Sequence, residues 1–195
     1  MRNNDALRDK SKAISVESVW AAQIRAGNAD AFEKLFNAYC QPLINFAARY
    51  AKDVALAENM VQDVFLKIWK NREQLDPGLN IRAYLYTAVK NAALKHLRHA
   101  DIRQKSVDRI KGLTAPARTP EDDLTEQELT DSIQRAIASL PDRCHKIFCM
   151  NRFDGLTYAE IAEVQNVSVK TVETHMGRAL KSLRKQLLQF LILYN

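Results

Sequence analysis

Two helix-start signals stand eleven residues apart in this chain, at Thr157 and Ser168, and they leave little freedom for what lies between. Thr157-Tyr158-Ala159-Glu160 reads as a capping box, in which the hydroxyl accepts from the N3 amide and the glutamate reaches back. Ile161 and Ala162 face inward on the short helix it opens. Gln165-Asn166-Val167 is a tight turn, since asparagine tolerates the left-handed backbone. Ser168 caps a longer helix with Val172, Met176, Ala179 and Leu183 at helical spacing. Short helix, brief turn, capped longer helix is the helix-turn-helix pattern. Small Ala162 permits close crossing, and Val167 and Val172 are expected to wedge the angle. The outward face is then Lys170, Thr171, Glu173, Thr174, Gly177, Arg178 and Lys181, with His175 near its edge. Such side chains reach base edges and phosphates in a major groove. A plain helical hairpin with a solvated face is the bland alternative; the coincidence of two caps, a turn and a basic face disfavours it.

The remaining chain is helical by the same test, so the fold class is all-α. Five Gly and five Pro among 195 residues are too few for the turns of an all-β protein. Trp20 to Ala26 reads as one helix, stopped at Gly27. Asn28 caps the next, with Asp30 in its first turn and Ala31, Phe32, Leu35 and Phe36 at helical spacing as far as Tyr39. Pro42 is expected to open another, carrying Leu43, Phe46, Ala47 and Tyr50. From Val54 to Trp69, Ala57, Val61, Val64, Phe65 and Ile68 share one face, and Glu58, Asn59, Gln62, Asp63 and Lys67 the other. Asp76-Pro77-Gly78 breaks the pattern. A helix from Arg82 should turn Leu85, Ala88, Val89 and Ala92 inward, and Arg82, Tyr86, Lys90, Asn91 and Lys95 outward. Leu129 to Leu140 is a helix with Ile133, Ala136, Ile137 and Leu140 in register, closed by Pro141; Arg143 to Arg152 follows and ends near Asp154-Gly155.

Gly112 to Pro120 holds two prolines and a glycine without apolar periodicity, and marks a linker. The acidic Glu121-Asp122-Asp123 after it suits a helix N-terminus. The chain therefore divides into a tail (1–17), a first module (18–100), a linker (101–123) and a second module (124–195). Residues 1–113 carry 19 basic and 12 acidic side chains, 114–134 carry one and six, and 135–195 carry nine and five. Two basic blocks around an acidic segment point to two modules that meet a polyanion. No apolar run approaches the roughly 20 residues that span a bilayer, and the polar start lacks a signal-peptide core. Three cysteines, Cys40, Cys144 and Cys149, show no disulfide spacing. A cytoplasmic protein without membrane insertion is expected.

Lys95, Arg98, Arg103, Lys105, Arg109 and Lys111 extend beyond the last helix of the first module. Beside Tyr84, Tyr86 and the 76–80 loop they read as a single-strand surface, since aromatic rings stack on unpaired bases. A solvated face, with Tyr84 in the core, is the bland alternative. Catalytic patterns are poor: His96 and His99 lack a third ligand, and Cys144-His145-x-x-x-Cys149 reads better as buried cysteines than as a metal site. Gly-rich phosphate loops and paired acids are missing from the sequence. Neither an enzyme nor a cofactor or metal is expected.

These residues match a family pattern. Gly27-Asn28-Ala29-Asp30-Ala31-Phe32, the stretch from Ala57 to Trp69, and Ala83 to Asn91 carry it in the first module. Leu140-Pro141, Gly155 to Ala162, and Ser168 to Val172 carry it in the second. The chain resembles the extracytoplasmic-function (ECF) group of bacterial RNA polymerase sigma factors over about residues 18–100 and 124–187, and is similar to its iron-citrate-type branch, abundant in Bacteroidetes. The resemblance implies that Glu58, Asn59, Gln62, Asp63 and Lys67 dock on the clamp helices of core RNA polymerase. It implies that Asn80, Arg82, Tyr86, Lys90, Asn91, Lys95 and Arg98 hold and melt the minus-ten element of promoter DNA. Ser168, Lys170, Thr171, Glu173, Thr174, His175, Arg178 and Lys181 would read the minus-thirty-five element as duplex. The linker would thread toward the RNA channel, and control by an anti-sigma factor, often membrane-bound, is typical of the group. Glu173 and His175 depart from it, standing where members commonly show Arg or Lys. A stand-alone helix-turn-helix regulator is the alternative reading, and an interaction module using the acidic linker and the apolar C-terminal tail is another.

Overall fold

The computed structural model describes residues 15–106 and 124–193, and the side chains of 15–98 and 131–188. Every regular element among the described residues is a helix, and the chain divides into two compact units after Leu97. The segment Gly112–Pro120, the acidic run Glu121–Asp123, Arg109 and Lys111 lie outside the described residues, as does the end of the apolar tail.

The first unit holds α1 (Val16–Arg25), α2 (Ala29–Ala51), α3 (Val54–Lys70), a 3-10 turn (Arg72–Gln74) and, as far as Leu97, α4 (Ile81–Ser106). Local caps set the starts. The Ser15 hydroxyl accepts from the Ser18 amide at 3.1 Å, Asn28 Oδ1 from Ala31 at 2.9 Å, and Asp53 Oδ1 from Leu56 at 3.1 Å. Gly27 supplies the positive φ (87°) between α1 and α2 that a side chain would resist. Pro42 does not open a helix, as the sequence suggested; α2 runs straight through it. An interior proline costs about 3 kcal/mol. The continuous buried stripe Leu35, Tyr39, Leu43, Phe46 and Ala47, spanning the proline on one face, offsets that cost.

α2 and α3 pack through an aromatic cluster. Phe32 lies 6.0 Å from Phe65 and 5.0 Å from Trp69, and Phe36 lies 4.9 Å from Phe65, measured between ring centroids. The predicted inner face of α3 is buried, joined by Met60. α4 departs from its expected phase. Tyr86, assigned outward to hold DNA, is only 1% exposed and packs edge-on against Phe46 at 5.0 Å. Tyr84, expected on a single-strand surface with the core as the bland alternative, is 38% exposed. Ile81, Ala83, Leu85, Tyr86, Val89 and Ala93 are all buried, so α4 is covered over more than half its circumference. A single-sided pattern cannot be phased on such a helix.

The second unit holds α5 (Leu124–Ala138), α6 (Asp142–Arg152), α7 (Tyr158–Gln165) and α8 (Val169–Leu193). Ala136, Leu140, Cys144, Ala179 and Leu183 form one core cluster, with Ile137 and Phe148 against it. Ile133, expected inward, stands 38% exposed. The capping box forms: the Glu160 amide donates to Thr157 Oγ1 at 3.2 Å, and Glu160 Oε2 accepts from the Thr157 amide at 2.8 Å. That reciprocity explains how Glu160 tolerates burial. Asn166 takes the left-handed conformation (φ 54°, ψ 52°), and Ser168 Oγ accepts from the Thr171 amide at 3.1 Å. Val172 is fully buried, as a residue wedged between the two helices must be, whereas Val167, given the same task by the sequence, is 39% exposed.

Candidate nucleic-acid and polymerase interfaces

The outer face of α8 is the first candidate. Lys170, Glu173, Thr174, Gly177, Arg178 and Lys181 are exposed, and Thr171 is half-buried. Lys170 Nζ lies 3.5 Å from Glu173 Oε2, and the Thr174 hydroxyl donates to the Lys170 carbonyl at 2.8 Å. Ser168 and Thr171 share a hydroxyl contact of 2.8 Å at the start of the helix. His175 is half-buried, with Nδ1 3.6 Å from Cys144 Sγ on α6. One ring nitrogen is therefore turned into the unit rather than outward. Cys149 Sγ meets His145 Nε2 at 3.6 Å, so the two cysteines take different imidazole partners. Among the described residues, no three His, Cys, Asp or Glu side chains converge as a metal would need.

The second candidate is the outer face of α3, where Glu58, Asn59, Gln62 and Asp63 are exposed together. Leu66 is 49% exposed in the same stripe. An apolar side chain inside a polar rim is the composition of a protein-docking patch. Behind this helix Cys40 is half-buried, and burial first, then the Glu58 carboxylate, pushes its thiol up.

The third lies between α3 and α4, where a cavity of about 270 Å³ is lined by Val64, Ile68, Ala88 and Ala92, with Lys67, Asn71, Tyr84, Asn91 and Lys95 also around it. Two lysines, two amides and an exposed ring above an apolar floor offer stacking, base-edge hydrogen bonds and phosphate neutralisation together. Of the residues assigned to the minus-ten element, the cavity gathers only Asn91 and Lys95. Arg98 is exposed further along α4, while Arg82 and Lys90 are half-buried. Asn80 Oδ1 accepts from the Ala83 amide at 3.1 Å and so caps α4, and Tyr86 belongs to the core. Lys67, assigned to polymerase docking, lines the cavity as well. Tyr84, read from the sequence as part of a single-strand surface, lines the cavity, and so does Asn71, which the sequence does not single out. An asparagine just past the end of a helix carries no periodic signal that would mark it.

A helical unit with a cavity ringed by lysines and amides and an exposed polar face on α3, together with a second unit bearing a helix-turn-helix, defines a class: two-unit all-helical proteins of the helix-turn-helix type. The comparisons with known proteins agree. Residues 35–103 match the family described as sigma-70 region 2, and residues 130–183 match sigma-70, region 4. The chain is 29% identical over 174 residues to the ECF RNA polymerase sigma factor SigW of Bacillus subtilis, covering 85% of this chain and 93% of that protein. It is 28% identical over 168 residues to the RNA polymerase sigma factor CarQ of Myxococcus xanthus, covering 85% and 94%. Its fold is similar to that of CnrH, solved in complex with the cytosolic domain of CnrY (TM-score 0.61, 22% identity, 89% of this chain and 97% of that one). It is also similar to that of RpoE from Bartonella quintana, solved with the anti-sigma factor NepR (TM-score 0.59, 21% identity, 80% and 96%).

The chain belongs to the ECF type of the sigma-70 family. It binds core RNA polymerase and directs promoter-specific transcription initiation. The stand-alone regulator reading gives way, because a region 2 match occupies residues 35–103, outside any helix-turn-helix.

Proposed function

We propose that the α3–α4 cavity receives an unpaired base of the minus-ten strand, with Tyr84 as the stacking ring, Asn71 and Asn91 on the base edge, and Lys67 and Lys95 on flanking phosphates. One observation carries this: an exposed tyrosine, two amides and two lysines ring a single apolar cavity of about 270 Å³. In this reading the exposed α3 stripe Glu58, Asn59, Gln62, Asp63 and Leu66 docks on core polymerase. Lys170, Glu173, Thr174, Arg178 and Lys181 of α8 meet the minus-thirty-five duplex. The functional modules span residues 18–100 and 124–195, joined through 101–123. We place the protein in the bacterial cytoplasm, in the iron-citrate-type branch, and under an anti-sigma factor. Support for that last partner comes from the complexes of CnrH with CnrY and of RpoE with NepR. Among the described residues no helix is long and apolar enough to cross a membrane.

The test is promoter opening by core enzyme reconstituted with the full chain. Tyr84→Ala and Asn91→Ala should leave core binding intact and lower permanganate reactivity of minus-ten thymines several-fold. Normal reactivity in both variants would remove the cavity from the mechanism.

A further inference from the structure

Glu173 is the only acidic residue between Val169 and the end of the chain, a stretch that holds Lys170, Arg178, Lys181, Arg184 and Lys185. It is the fifth residue of α8, within the turns that a recognition helix presents to base edges. Its side chain is half-exposed and sits on the outer face, not against the unit. An ionised carboxylate there carries acceptors only and faces a strongly anionic duplex. It is tolerated only where it finds a donor. In the major groove the bases offer two, the N4 amine of cytosine and the N6 amine of adenine. Adenine places its N7 lone pair beside N6, which repels a carboxylate; the cytosine edge has a C–H there instead.

The surroundings favour the same partner. Lys170 Nζ, 3.5 Å from Glu173 Oε2, offsets the charge and holds the carboxylate on the outer face. The Thr174 hydroxyl proton is committed to the Lys170 carbonyl at 2.8 Å, so it does not quench the carboxylate from the other side. The Ser168 and Thr171 hydroxyls are engaged with each other at 2.8 Å. Glu173, paired with Lys170 through Oε2 alone in that contact, is left as the strongest acceptor on an otherwise donor-rich face.

We propose that Glu173 reads a cytosine in the minus-thirty-five element, accepting from its N4 amine, with Lys170 as the positioning residue for the carboxylate. The proposal rests on α8 being the minus-thirty-five reader. The experiment is selection from a duplex library randomised across the minus-thirty-five region, using core polymerase with the full chain. The wild-type chain should select cytosine at one position, and N4-methylcytosine there, which still pairs but puts a methyl in the groove, should weaken binding. Glu173→Gln, nearly isosteric and exposed enough to leave folding unchanged, should lower the cytosine preference about five-fold or more. It should shift that position toward adenine, whose N6 and N7 an amide matches. Base preferences unchanged at every position by Glu173→Gln, while Arg178→Ala alters one, would overturn the proposal and leave the α8 reading standing. If neither variant alters any position, the α8 reading falls and the proposal with it.

Discussion

Gly177 lies in the middle of α8, on the outer face between Thr174 and Arg178, and a Cβ built on it would meet nothing within 4 Å. Its backbone is helical, so no positive φ demands glycine there. Gly177→Ala should therefore recover most of the helix-propensity difference, about 0.8–1 kcal/mol, partly by restricting the unfolded chain. In a unit of this size that raises the melting temperature by roughly 4–8 °C. The assay is thermal unfolding of the full chain followed by circular dichroism, assigning the transition that moves to the second unit. A glycine retained where alanine is more stable and fits freely implies that something outside the free chain needs the space, and close backbone approach to a duplex is one such need. The same substitution should then weaken minus-thirty-five binding by the reconstituted polymerase several-fold while the free protein becomes more stable. An unchanged or lower melting temperature would refute the helical and spatial reasoning. A stabilised protein with unaltered promoter affinity would refute the close approach.

The two neighbouring tyrosines of α4 should behave oppositely in chemical denaturation: Tyr86→Ala should cost about 3–5 kcal/mol by emptying the site against Phe46, and Tyr84→Ala less than about 0.5 kcal/mol. Exchanging Gln62 and Asp63 for Ala and Lys should abolish co-purification with core polymerase without shifting the melting temperature, since both side chains are exposed; retained co-purification would move the docking face elsewhere. Cys40, its thiol pushed up by burial and by Glu58, should alkylate slowly near neutral pH. Glu58→Gln removes a negative charge that opposes the thiolate, so alkylation of Cys40, followed by mass spectrometry, should speed up; buried Cys144 and Cys149 should stay unmodified in the native protein.

Where the controlling interaction is local, the sequence was sufficient. Asn28, Thr157 and Ser168 each cap a helix through an amide three residues on, and Asn166 takes its left-handed turn by its own backbone preference. The polar face of α3 was equally legible, because its inner face alone is buried, and a one-sided helix prints its phase in the sequence. Tertiary structure alone decided the rest. α4 is covered on several sides, so only packing against Phe46 tells Tyr86 from Tyr84. Pro42 stays inside α2 because the burial on either side of it outweighs the lost hydrogen bond. His175 turns toward Cys144, 31 positions away, and Lys67 and Asn71 meet Asn91 and Lys95 across a cavity between two helices. A hydrogen bond that closes within one turn is encoded by the residues of that turn. A contact between distant segments exists only once every intervening helix has packed, and no local pattern carries it.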